Sequence, residues 1–229
     1  MTTSPGQTHL PVIKADFHIH THFSPDSKTS PERLVARCLE IGLSCIAVTD
    51  HHTIQGAVEV QKLAPFFKVI IGEEVKSTGG DIIGLFLLET IPSGLSPEET
   101  VQRIKNQGGL VSIPHPFDQF RRSALHGEAL LQVLPYADLI EAFNARTTLR
   151  RDSQRAQELA SKSGLPGLAV SDAHITWELG RTYVELPAYD GSRDGLKEAV
   201  SRGNLVTRSV TPLVHLLTRY TVLTKRLFR

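Results

Sequence analysis

Two histidines one residue apart, His18 and His20, follow a short apolar run, and Asp26 comes six residues after the second. On a strand, residues i and i+2 share a face, so both imidazoles can reach one metal ion. Similar groups recur down the chain: Asp50-His51-His52, Gly72-Glu73-Glu74, Pro114-His115-Pro116 and Ser171-Asp172-Ala173-His174. Imidazole and carboxylate donors suit zinc, manganese or iron, and donor type alone does not choose among them. The supply exceeds what a single ion uses. Two or more neighbouring ions can clamp a phosphoryl oxygen and generate hydroxide near neutral pH. The chemistry indicated is metal-assisted hydrolysis. No serine–histidine–aspartate arrangement or glycine-rich phosphate loop competes with it.

The elements that must position these groups are legible from punctuation and periodicity. Residues 12–17 read as a first strand. Ser30-Pro31-Glu32 opens a helix with a serine cap, a first-turn proline and an acid near the positive end, and Gly42 ends it. Residues 45–49 form a short apolar run of buried-strand type that delivers Asp50 and His51. A weak helix at 56–62 precedes a strand at 69–71, which ends in Glu73 and Glu74. Residues 82–88 are another apolar strand. Ser96-Pro97-Glu98-Glu99 opens a helix closed by Gly108-Gly109, and the strand at 110–113 delivers His115. A strand at 139–144, a helix at 149–163 and a strand at 167–171 then lead to Asp172 and His174. A strand at 181–185, a helix at 194–202 and a strand at 205–207 complete the series.

Short apolar strands alternating with amphipathic helices predict an α/β protein with a parallel sheet. Functional groups of such folds sit at the carboxyl ends of strands, where these ligands fall. An open sheet has its site at one crevice, so ligands drawn from six strands require a closed barrel. Residues 1–12 read as a loose leader, 13–210 as the barrel and 211–229 as a basic amphipathic helix.

His18-x-His20 with Asp26, Thr49-Asp50-His51, Gly72-x-Glu74, Pro114-His115-Pro116 and Ser171-Asp172-Ala173-His174 together resemble the motifs of the PHP (polymerase and histidinol phosphatase) family, in the family's order. The resemblance implies a distorted (β/α)7 TIM-like barrel with two or three divalent ions. By motif position, the first ion takes His18, His20, Glu74 and Asp172. Glu74 bridges to a second ion that also uses His115. A third takes Asp26, His51 and His174. The family often has histidine at Asp26, and histidine or cysteine near Asn144; asparagine is a poor ligand, so the second site is either weak or leans on Glu141. The implied activity is hydrolysis of a phosphate ester by a metal-activated hydroxide, on a small phosphorylated metabolite or nucleotide. Asp172 and His174 are the candidates for proton transfer, although both serve better as ligands. Alternatives are a nuclease acting on nucleic-acid ends, a metal-dependent amidohydrolase and a non-catalytic metal-bound scaffold.

Phosphate favours arginine's fork. Arg146, after the strand ending at Asn144, and Arg181, after the Asp172–His174 loop, are the preferred substrate contacts, ahead of Arg121 and Arg122. Asp50 is expected to orient a ligand histidine, and Glu73 to point away from Glu74. His22, His52, His126 and His215 read as non-ligands, His9 belongs to the leader, and Trp177 either flanks substrate or packs its loop. A net charge of +1 and few aromatics disfavour nucleic acid as partner. Cys38 and Cys45 read as buried thiols of a reducing compartment. The first residues lack the pattern of a signal peptide, and no window is apolar enough to span a membrane, so a cytoplasmic location is expected. From Arg208 onward there are basic residues and no acids. The last helix either packs on the barrel or is free for a membrane surface or a partner.

Overall fold

The computed structural model describes residues 12–227; the expected leader falls, Val12 apart, outside them. The strands are β1 (Ile13–Ile19), β2 (Cys45–Val48), β3 (Lys68–Ser77), β4 (Gly80–Leu85), β5 (Leu110–Ile113), β6 (Leu139–Asn144), β7 (Gly167–Val170), β8 (Tyr183–Leu186) and β9 (Asn204–Val206). The helices are α1 (Pro31–Ile41), α2 (Gln55–Leu63), α3 (Pro97–Asn106), α4 (Gly127–Val133), α5 (Arg150–Ser163), α6 (Arg193–Ser201) and α7 (Val214–Leu227). The strands form one sheet in the order β7-β6-β5-β4-β3-β2-β1-β8-β9. Just past β7 the chain turns against the end of β1: Ile19 bridges Ala173, and the His20 amide donates to the Ala173 carbonyl at 2.9 Å. This contact nearly closes the first seven strands into a barrel.

Helix boundaries follow their caps. The Ser30 side chain accepts from the Arg33 amide, Ser96 and Glu99 form a reciprocal capping box, and Gly42 and Gly164 end α1 and α5 in the left-handed region. The sheet is mixed where parallel pairing is expected throughout. β4 runs antiparallel to β3 and β5. Only Thr78 and Gly79 separate β3 from β4, a link far too short for a parallel crossover. Gly80 takes a φ of +138° there, and a Cβ would meet the Leu125 amide and Ser123 carbonyl at 2.9 Å. β8 and β9, joined through α6, add an antiparallel pair beside β1. α4 lies in the connection after His115, where the sequence shows no helix signal.

One apolar cluster, with Ala15, Phe17, Ala47, Ile70, Leu85, Leu110, Leu139 and Leu168, fills the barrel interior. Two others lie between the strands and the helix layer. In β1 the alternation is interrupted. Asp16 pairs with Ile46 but Ile19 pairs with Val48, so three steps on β1 oppose two on β2. This bulge inverts the facing of every later residue. His18 and His20 thereby take the inward side that Ala15 and Phe17 hold below them.

Candidate metal centre

Three groups of side chains converge at the end of the barrel where β1, β2, β5, β6 and β7 finish. His20, Asp26, His51 and His174 form the first, His18, His20 and Glu74 the second, and Glu74, Asp81 and His115 the third; within each group the ligand atoms lie within 4.8 Å of one another. His20 belongs to two groups, and so does Glu74. Glu74 Oε1 lies 2.9 Å from His115 Nε2, while Oε2 lies 3.2 Å from His18 Nε2 and 3.3 Å from His20 Nε2. One carboxylate thus faces two groups with separate oxygens.

Asp172 stands beside the second group. Arg121 and Asn144 donate to its Oδ2, while Oδ1 has no hydrogen-bond partner and faces His18 and His20 at 3.6 and 3.5 Å. One oxygen is pinned and the other is presented. Asp26 Oδ2 lies 3.0 Å from His174 Nε2 and 3.5 Å from His51 Nε2. The backbone supports this at a cost: His115 and Asp172 have φ of 29° and 53°, conformations that non-glycine residues rarely adopt and that cluster at functional sites.

The donor chemistry fits divalent cations. Glu141 Oε1 lies 2.6 Å from His18 Nδ1. A carboxylate only accepts, so that hydrogen sits on Nδ1 and the Nε2 lone pair points at the second group. His20 Nε2 lies 3.0 Å away, and two imidazole nitrogens aimed at each other among carboxylates call for positive charge between them. Burial alone would raise the Glu74 and Asp172 carboxyls. His18 and His51 around the one, and Arg121 and His18 around the other, hold both well below the usual carboxylate range. His51 is pushed up to about 10, because Glu74 and Asp26 outweigh its burial. His174 is pushed down to about 4 by burial and by Arg146. Glu74 and Asp172 thus favour the anionic form and draw cationic charge inward, which is what a metal site requires, while burial and the nearby Glu74 push the Asp81 carboxyl the other way.

All eight expected ligands, His18, His20, Asp26, His51, Glu74, His115, Asp172 and His174, are brought together. Asp81 joins them without having been expected. It is the second residue of β4, and because β4 is reversed its start reaches the rim where its neighbours finish. Glu141 binds not as a ligand would but as a clamp. Besides His18 it accepts from the His115 amide at 2.7 Å and from Asn144 Nδ2 at 2.9 Å. Asp50 accepts from the amide and hydroxyl of Thr21, fixing the chain next to His20 rather than gripping an imidazole. Glu73 points away from Glu74 and accepts from the Ile91 amide. His22 and His52 are exposed and outside the groups.

The arginines divide differently from expectation. Arg146 is buried beneath α7, against His174, the Glu178 carboxylate, the Val214 carbonyl and Thr218. Arg181 lies over the Trp177 ring at 4.6 Å and, among the described residues, pairs with no carboxylate or imidazole of the site. Arg121, ranked lower from sequence, touches Asp172 and also lines a cavity of about 460 Å³ with Phe120, Thr148, His215 and Arg219.

Comparison with known proteins adds the following. A family model for the PHP domain matches residues 16–143, and one described as PHP-associated matches residues 150–205. An uncharacterized protein of Methanocaldococcus jannaschii is 43% identical over 145 residues, 58% of this chain and 82% of its own length. A second from the same organism is 34% identical over 176 residues, 76% of this chain and 70% of its own. A crystal structure of a two-domain protein from Bacteroides vulgatus, containing a predicted PHP-like metal-dependent phosphoesterase, superposes with a TM-score of 0.71 at 21% identity. It covers 90% of this chain and 68% of that one.

Proposed function

This chain belongs to the PHP domain family, and from that premise we propose that it is a metal-dependent hydrolase of phosphoric esters. The observation that carries the reading is the sharing of Glu74 and His20 among three histidine–carboxylate groups. Such sharing is what two or more neighbouring cations would require. In the proposed assignment His18, His20, Glu74 and Asp172 hold one ion. Glu74, Asp81 and His115 hold a second, and Asp26, His51 and His174 a third. Divalent ions bound there, whether zinc, manganese or iron, supply Lewis acidity toward a phosphoryl oxygen and acidify water.

The chain's own groups then have distinct tasks. Glu141 keeps the His18 hydrogen on Nδ1. Arg121 and Asn144 fix Asp172 so that Oδ1 faces the ligands. Arg121 and Arg219 both line the neighbouring cavity; Arg121 also touches Asp172, and we assign it the contact to the ester's phosphate or leaving group. Arg146, enclosed under α7, is assigned to positioning His174. The cavity is of a size for a small phosphorylated metabolite or nucleotide.

The test combines metal analysis by mass spectrometry with a panel of phosphomonoesters, phosphodiesters and amides under added manganese. Bound divalent metal with turnover of a phosphoester is the expected result, and His18→Ala loses both while its circular dichroism is unchanged. Turnover of amides alone, or full activity in His18→Ala, would overturn the assignment.

A further inference from the structure

We propose that the outward face of α7 docks this protein onto an anionic lipid surface. α7 turns its polar side to the barrel and its apolar side to solvent, the reverse of an ordinary surface helix. Val214 and Thr221 are buried. Arg146 donates to the Val214 carbonyl and to Thr218, and His215 Nε2 donates to the Arg146 carbonyl at 3.1 Å. Lys225 Nζ donates to the carbonyls of His22 and Ser24 at 2.6 and 2.7 Å. These contacts along its length fix the rotation of the helix about its axis.

At 3.6 residues per turn, Leu216, Tyr220, Leu223 and Leu227 fall on the opposite side, and they are 60, 63, 59 and 79% exposed. Leu213 extends the stripe by one turn and is 64% exposed. Isolated surface leucines need no explanation, but a contiguous apolar stripe marks an interaction surface.

Charge selects the occupant. Residues 208–229 contain Arg208, Arg219, Lys225, Arg226 and Arg229 and no acid. Arg219 and Arg226 are exposed and flank the stripe. Basic flanks beside leucines and a tyrosine suit a helix lying in a bilayer interface, where each basic group is drawn to anionic headgroups. A second copy would offer the same basic flanks and no acid to meet them. The stripe also spans only about two heptads, shorter than the three or four of a sustained helix-pairing seam. The inner side of α7 lines the space beside Asp26 and His174, so docking brings the metal rim to about one helix diameter, ~10 Å, from the lipid.

The experiment is sedimentation of the 229-residue chain with vesicles of phosphatidylcholine containing about a quarter phosphatidylglycerol, and with pure phosphatidylcholine. Binding to the anionic vesicles is expected. It should fall at least about tenfold in high salt, in Tyr220→Ser/Leu223→Ser, and in Arg226→Glu. All of these residues are exposed, and thermal melting of each variant checks that it folds. No binding to anionic vesicles, or binding indifferent to these substitutions, overturns the proposal. So does a dimer seen by light scattering that Tyr220→Ser/Leu223→Ser dissolves, which would give the face to a second copy.

Discussion

Replacing Glu141 by glutamine tests the logic of the site more sharply than removing a ligand. Three donors converge on this carboxylate: His18 Nδ1 at 2.6 Å, the His115 amide at 2.7 Å and Asn144 Nδ2 at 2.9 Å. A carboxylate accepts all three, but an amide has one accepting oxygen. Two of the donors share Oε2, and one of those is a backbone amide that cannot turn away. The glutamine oxygen therefore stays with them and its NH2 faces His18 Nδ1. That ring must then carry its hydrogen on Nε2, the atom that faces His20 and Glu74. A metal can bind only if the tautomer reverts, which leaves two donors opposed across a buried contact. The cost is about one lost charged hydrogen bond, roughly 1.5–3 kcal/mol. This agrees with the 10–100-fold losses typical when a ligand's orienting partner is changed. Without metal Nε2–H still donates to Glu74 Oε2 at 3.2 Å, and what is lost is the attraction between the Glu141 carboxylate and a His18 that its acidic neighbours hold toward the charged form. Melting of the metal-free variant should fall only through that loss, by about 2–4 °C for each kcal/mol. Metal titration followed by mass spectrometry, beside melting of the stripped protein, reads both quantities. Wild-type metal affinity in Glu141→Gln would refute the tautomer argument, because nothing else in the site could keep His18 correctly protonated.

Two further outcomes follow from the same geometry. Asp81→Asn should lower bound metal by about one ion per chain, leaving the group of His20, Asp26, His51 and His174 loaded; unchanged stoichiometry would remove Asp81 from the site. Glu73 has its carboxyl pushed up from 4.5 to about 7 by burial, only partly offset by the Ile91 amide. A raised carboxyl favours the folded state while protonated. Its contribution is complete below about pH 4.5 and is lost as pH rises to about 7, by up to about 3 kcal/mol. Urea unfolding at pH 5 and pH 8 should therefore show Glu73→Gln gaining on the wild type at the higher pH, and an equal difference at both would exclude Glu73 as the titrating group.

Much of the fold was legible because its signals are local. Ser30 and Ser96 announce their helices by caps, and Gly42 and Gly164 end theirs by backbone conformation. The ligands stand out for a related reason. They are histidines and acids placed just after apolar runs, and the barrel gathers the ends of those runs. Asp81 escaped because it precedes its apolar run instead of following it. Only the two-residue link between β3 and β4 marks the reversal, and Gly79 and Gly80 were the available clue.

Glu141 and Asn144 were visible in the sequence, but their clamping role was not, for a reason that lies in register. Glu141 and Asn144 are three apart, and in a regular strand they would face opposite sides. Pairing with β7 slips between Glu141 and Phe143, so that Glu141 opposes Leu168 and Asn144 opposes Val170. Leu168 and Val170 share the inner face, and the slip puts both polar groups on it. β1 uses the same device below His18. An extra residue in a strand leaves no signature in composition or periodicity, since it is defined only against the neighbouring strand. The residue types that bind metal can therefore be read one segment at a time. The groups that set a ligand's tautomer and the free oxygen of Asp172 depend on where two segments meet, and they become visible only when the strands are paired.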